Sequence, residues 1–222
     1  MTARIVIIGA GGHARVIADI IQAMAKAGSD CTVAGYVDSD PAKAGTQWLG
    51  APVLGDDGVL DALQREGRAD HFIIGLGTVR GGTALRSQLF NRTAATGLSP
   101  FTARHPDAIV ASQVSFGAGC AVMPGAVINT GSQIGDNAII NTRAGVDHDC
   151  CIGAHAHIAP GATLSGDVSV GEAALVGVGA VCRQGVRIGR GATLGAGAVA
   201  VGDVPDGAVA LGVPACVTNG KA

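Results

Sequence analysis

From Val110 to Ala200 the chain is apolar at every sixth residue, through Phe116, Val122, Ile128, Ile134, Ile140, Val146, Ile152, Ile158, Leu164, Val170, Val176, Cys182, Ile188 and Leu194. Four residues after most of these comes a small one, among them Cys120, Ala126, Ser132, Ala138, Ala144, Cys150 and Ala156. Few folds can hold such a period. An α-helix turns about 100° per residue, so six residues leave an offset of about 240° and no continuous apolar face. A half-buried strand would repeat every two residues. A longer repeat rides on the hexad: Phe116-Gly117, Ile134-Gly135, Ile152-Gly153, Val170-Gly171 and Ile188-Gly189 follow one another at steps of 18 residues. Three hexads per step predict a parallel β-helix of triangular section, one hexad to a side, with the apolar residue filling the core and the small one packing at the corner. In that register Cys120 and Cys150 take the small position and Cys182 the apolar one, which makes them packing residues rather than nucleophiles.

Residues 4 to about 103 alternate apolar runs with helical patterns. "RIVIIG", "CTVAGYVD" and "HFIIGLG" read as strands, and "HARVIADIIQAMAKAG", "DDGVLDALQREG" and "GTALRSQLFNRTAATG" as helices, the second with Asp56 or Asp57 near its cap. Such alternation predicts a small parallel sheet covered by helices on both faces. The expected division is a Rossmann-like α/β domain over residues 1–105 and the β-helix over 106–222. The first loop, "GAGGHA" at 9–14, fits G-x-G-x-x-A between a strand and a helix, and Asp38 ends the second strand. That arrangement can hold a pyrophosphate on helix N–H groups and a ribose on a carboxylate. On its own it suggests NAD, but no second half of a dinucleotide fold precedes residue 108.

The bulk numbers exclude more than they assign. A formal net charge of -2 and no lysine/arginine run argue against nucleic acid or an anionic membrane as partner. No stretch approaches the roughly 18 uninterrupted apolar residues of a membrane span. The six cysteines form no CxxC pair, so a cytoplasmic protein with reduced thiols is expected.

One stretch of the β-helix is rich in chemistry: "GVDHDCCIGAHAHIAPG", residues 145–161. His148 and Asp149 fall two and three residues after core position Val146, toward a corner where side chains can leave the prism. The residue types alone admit a metal site, a catalytic base with its helpers, or polar decoration.

Hexapeptide repeats of this form resemble the left-handed β-helix acyltransferases. "GAGGHARVI" opening an α/β domain, "NTRAGVDHDCCIGAHAHIAPGA" within the repeats and the closing "GVPA" resemble a narrower group, the NeuD/PglD-type sugar O/N-acetyltransferases, which includes the perosamine N-acetyltransferases. The resemblance implies acetyl-CoA as donor, a nucleotide-linked amino sugar as acceptor, left-handed coils, and a homotrimer with active sites between neighbouring prisms.

By the family pattern His148 is the catalytic base and Asp149 its partner, with Asp147 a rival for that place. Relatives often carry glutamate after the histidine; here it is aspartate, one methylene shorter. The chemistry is coherent: an amine attacking a thioester must lose a proton, and imidazole titrates near neutral pH. His157 matches a second histidine that donates to the thioester carbonyl, and Asn141 a residue that holds the acceptor sugar. Val178 and Ala196 match positions lining the pantetheine channel. Arg183, Arg187 and Arg190 are expected to be solvated rather than bound to CoA phosphates, and His155, with no matching role, is expected at the surface. The nucleotide of the acceptor maps onto Gly11, Gly12, His13, Asp38, Ser39 and the turn Gly75–Gly77. Ser39 stands where some relatives have a second aspartate and Thr78-Val79 replaces an asparagine-containing pair, which leaves UDP and GDP both open. The remaining alternatives are an O-acetyltransferase acting on sialic acid, an idle sugar-nucleotide scaffold, and a zinc site of the γ-carbonic-anhydrase kind on His148, His155 and His157. No metal is expected.

Overall fold

The six-residue period becomes a stack of two-residue strands. In the computed structural model, which describes residues 2–78 and 83–218, strands pair in parallel with partners 18 residues away. Ile134 pairs with Ile152, Ile152 with Val170 and Val170 with Ile188 along one face. A second face runs through Ile128, Val146, Leu164 and Cys182, and a third through Val122, Ile140, Ile158, Val176 and Leu194. These residues and the small ones four further on form one buried core, including Cys120, Cys150 and Cys182. Burial pushes the thiol of Cys150 upward and that of Cys182 up to about 12, so both stay protonated and pack as small hydrophobes.

Two further hexad positions account for most glycines of the β-helix. The residue three after each core position turns the corner with positive φ: Gly125 at 70°, Asn137 at 54°, Arg143 at 57°, Asp149 at 59° and Asp167 at 59°. Only glycine takes this conformation freely, with Asn and Asp the next most tolerant. Glycines such as Gly153 answer a different need, because a β-carbon there would lie 2.5 Å from the backbone nitrogen of Glu172 in the next coil. The repeated aliphatic-glycine pair thus marks an edge where coils touch backbone to backbone.

With its core residues stacked 18 apart, each truncation removes contacts to the coils on either side. Ile158 is fully buried in this stack. Ile158→Ala should lower unfolding free energy by about 2–5 kcal/mol, read from urea unfolding at fixed protein concentration.

The chain forms two compact units, Met1–Pro106 and Asp107–Ala222. The first unit holds a parallel sheet in which the strand Ala3–Ile8 lies between Cys31–Val37 and His71–Ile74, with a short strand Ser99–Pro100 beyond. Helix Gly12–Lys26 follows the first strand, and its Ile17, Ile20 and Ile21 are buried. Asp56 accepts the Gly58 N–H at 3.0 Å and starts the turn into helix Leu60–Arg65. Phe72 and Phe90 pack ring to ring at 5.4 Å in the core of this unit. Among the described residues no helix is long and apolar enough to cross a membrane.

Candidate active site

The glycine-rich loop opens a cavity of about 530 Å³ at the ends of the parallel strands. Every residue of this unit assigned to the nucleotide from sequence lines it: Gly11, Gly12, His13, Asp38, Ser39 and Gly77. Lys43, Asp57 and Arg92 line it too and carry no sequence motif. Of the Thr78-Val79 pair, Val79 lies outside the described residues.

Asp38 is already at work within the chain. Its Oδ2 accepts the Ala10 N–H at 2.7 Å and the Lys43 ammonium at 3.0 Å, and its Oδ1 accepts the Asp40 N–H at 3.0 Å. Three of about four lone-pair directions are therefore taken. Burial works to raise the pKa of this carboxyl, but the bonds from Asp40, Ala10 and Lys43 outweigh it and hold the pKa below the usual range. The residue pins the glycine-rich loop to the end of the second strand and holds Lys43 at the rim. His13 is mostly enclosed, and burial together with the nearby charge of Arg86 brings its pKa down to about 4, so the ring is neutral at physiological pH. Arg86 is itself buried and donates to the Leu76 carbonyl. It shares one helix face with Phe90 and Thr93, all three buried. That i, i+4, i+7 spacing was the available signal for it.

On the β-helix, His148 and Asp149 stand at the corner after strand Gly145–Val146. His148 Nδ1 lies 2.9 Å from Asp149 Oδ2, with side-chain exposures of 49% and 66%. The shorter aspartate reaches the ring. Asp147 is turned elsewhere: its Oδ1 accepts Asn129 Nδ2 at 2.8 Å and the His148 backbone N–H at 2.8 Å. The pKa of His148 is raised, chiefly by the hydrogen bond to Asp149; partial burial lowers it, and the charges of Asp147, Asp149 and Asp167 raise it further. With Nδ1–H donated to the carboxylate, Nε2 carries the lone pair.

His157 lies in the strand His157–Ile158 and is 6% exposed. Its Nε2 is 2.9 Å from Asn141 Nδ2, while Asn141 Oδ1 accepts the Thr142 N–H at 2.7 Å. That second bond fixes which end of the amide faces the ring. An NH₂ group pointing at Nε2 requires a lone pair there, so the proton of His157 sits on Nδ1. Asn141, assigned to the acceptor sugar from sequence, thus sets the tautomer of His157.

Val178 and Ala196 are exposed at one corner on successive coils, joined by the Gly197 N–H to the Val178 carbonyl at 2.8 Å. That corner follows the face that carries His157. It is a different edge from that of His148. Arg183, Arg187 and Arg190 are exposed, and Arg187 Nη2 lies 3.5 Å from Asp206.

His155 departs from the surface position expected for it. It is 7% exposed, and its Nδ1 lies 3.0 Å from Asn137 Nδ2, one coil earlier. At the left-handed corner position, with φ 61°, its side chain runs along the stack instead of out of it. Among the described residues no three His, Cys, Asp or Glu side chains cluster as a metal site.

Comparison with known proteins gives these sites a family. Residues 4–93 match the PglD N-terminal domain, and residues 131–166 match the bacterial transferase hexapeptide family. Among curated proteins nothing matches. PerB from Caulobacter crescentus, solved with CoA and GDP-perosamine, is 43% identical over 99% of both chains with a TM-score of 0.88. The acetyltransferase domain of PglB from Neisseria gonorrhoeae, solved with acetyl coenzyme A, is 37% identical over 98% of this chain and 100% of that one, with a TM-score of 0.86. WeeI from Acinetobacter baumannii is 26% identical over 98% of this chain and 100% of that one, with a TM-score of 0.82. Matched from end to end at this identity, the chain belongs to the PglD-type family of hexapeptide-repeat, left-handed β-helix sugar acetyltransferases.

Proposed function

We propose that this protein transfers the acetyl group of acetyl-CoA to the amino group of a nucleotide-linked 4-amino-deoxy sugar, with His148 as general base. The observation that carries the reading is the end-to-end likeness to a perosamine N-acetyltransferase that holds CoA and GDP-perosamine, joined to a paired His148–Asp149 at an open corner. That relative makes a GDP-linked amino sugar the first acceptor to test.

In this mechanism the acceptor amine attacks the thioester carbon, forming the C–N bond, and His148 Nε2 takes the proton the nitrogen loses. Asp149 stabilises the imidazolium and keeps the receiving nitrogen as Nε2. His157 is the donor to the carbonyl oxygen as negative charge develops there, a role that requires its ring to move when substrate binds, because the Nδ1 that carries its proton is buried. The C–S bond then breaks, CoA leaves as a thiol on receiving the proton from His148, and no covalent enzyme intermediate forms. Val178 and Ala196 line the pantetheine channel in this reading. The nucleotide lies against Gly11, Gly12, His13, Asp38, Ser39 and Gly77, and Asn141 holds the sugar as well as His157.

The channel corner and the His148 corner are different edges of one prism, which supports a site completed by a neighbouring subunit and hence a homotrimer. Reduced cysteines and the use of acetyl-CoA support a cytoplasmic enzyme of glycan synthesis.

Thiol release from acetyl-CoA, followed with GDP- and UDP-linked 4-amino sugars, free sialic acid and no acceptor, tests the reaction. Turnover with one nucleotide-linked amino sugar, at least about tenfold above the no-acceptor rate, is expected. Turnover with sialic acid alone would replace this reading with O-acetylation.

A further inference from the structure

The His148 imidazole lies against the backbone of the following coil. A β-carbon on Gly166 would stand 2.5 Å from both Cε1 and Nε2 of the ring and 3.1 Å from Cδ2. On the opposite side a β-carbon on Gly131 would overlap Asp149 Oδ1. Gly166 is 18 residues after His148 and Gly131 is 18 before Asp149, so each glycine sits one coil from the side chain it makes room for.

Backbone conformation does not demand glycine at 166. Its φ is outside the left-handed region. The equivalent corner position, two residues after each core residue, carries a side chain everywhere else from 118 to 196, including Thr130 and Gln184 on the same edge. What the position lacks is space. A β-carbon at 2.5 Å must displace the ring by about 1 Å to reach ordinary van der Waals separation. Such a shift breaks a 2.9 Å hydrogen bond and carries Nε2 away from the proton it must receive. Gly131 differs, because its φ of +75° favours glycine on its own account, yet Asn137 and Asp167 hold the same turn position with φ of 54° and 59°.

We propose that Gly166 is a positioning residue for the His148–Asp149 pair, and that Gly131 is its counterpart on the carboxylate side. The glycines form a slot in which the two side chains lie along the stack of coils, aimed by the absence of any β-carbon. The proposal rests on the reading of His148 as the base.

The test compares Gly166→Ala and Gly131→Asn with wild type, and with Gly202→Ala as a control, since nothing lies within 4 Å of a β-carbon there. Four quantities are read: kcat, KM for acetyl-CoA, the thermal midpoint, and the titration of the His148 ring by NMR without substrates. For Gly166→Ala we expect kcat about 10²-fold lower, a KM within about twofold, a near-wild-type midpoint, and a His148 pKa lower than in wild type because the carboxylate contact is lost. Gly131→Asn should lower the pKa in the same sense with a smaller loss of kcat, and it carries the test alone if Gly166→Ala does not fold. A wild-type titration of His148 in the folded variants overturns the proposal, whatever happens to kcat. Failure of the base reading shows differently, as wild-type turnover in His148→Ala, and leaves the titration free to report on the slot.

Discussion

Replacing His148 by alanine should lower kcat about 10²–10⁴-fold while leaving KM for acetyl-CoA within about threefold. The size of the loss follows from how little else at this corner could take a proton. Asp147 is nearest in sequence, but the side-chain bond from Asn129 and the backbone bond from His148 hold its pKa below the ordinary carboxylate value and make it a weaker base. Asp149 loses its ring partner in the variant, but a carboxylate is intrinsically a much weaker base than imidazole. Cys150 is fully buried with its thiol pKa raised. With the imidazole gone, water must accept the proton, and only the rate gained by holding donor and acceptor together remains. A loss of less than about threefold would remove His148 from the reaction and return the scaffold alternative to the front.

Much of this was legible because the hexad is a geometric constraint written in residue size. Val146, Ile152 and Ile158 announce the prism, and once the register is set, His148 and Asp149 fall at a corner without further assumption. The same register held a signal that the apolar and small positions do not use. The residue three after each core position must accept positive φ, and the run Asn137, Arg143, Asp149, His155, Gly161, Asp167 shows residues tolerating that conformation rather than serving one chemistry. Asp149 fits the pattern, which gives a backbone reason for aspartate where relatives often carry glutamate. His155 shows the limit of register. Periodicity says that it turns a corner but not that its side chain folds back on Asn137. The bond from the Ala10 N–H to Asp38 was illegible for a related reason: in the α/β unit, partners far apart in sequence meet through strand order, and no spacing encodes that. The two glycines around the His148–Asp149 pair looked like two among 36. Only the direction of the imidazole separates Gly166 from glycines that serve turns or coil contacts.

Asp149→Asn should move the acidic limb of the pH profile to lower pH and reduce the plateau rate. General-base catalysis needs neutral imidazole, so kcat/KM climbs as pH passes upward through the pKa of His148 in the free enzyme. That pKa is raised above the ordinary value of about 6.5, and the hydrogen bond to Asp149 is the largest cause. Without the carboxylate, only the charges of Asp147 and Asp167 still favour the imidazolium. The pKa falls, and the variant keeps a larger share of its own plateau at pH 6 than wild type does. Its plateau is nevertheless lower, because a less basic ring takes the proton less readily and an asparagine NH₂ facing Nδ1 would move the ring proton to Nε2, the nitrogen that must be bare. We expect a plateau loss on the order of 10–100-fold, short of the ~10⁴ measured for a buried triad carboxylate, because this pair is exposed and screened by water and salt. Reading the shift as variant against wild type with one acceptor cancels the titration of the acceptor amine. Raising ionic strength should shift both limbs downward, because the charges of Asp147 and Asp167 act on the ring in wild type and variant alike. A limb that stays fixed in Asp149→Asn would mean that Asp147 and Asp167 set the pKa of His148, and that the 2.9 Å contact orients the ring without tuning it.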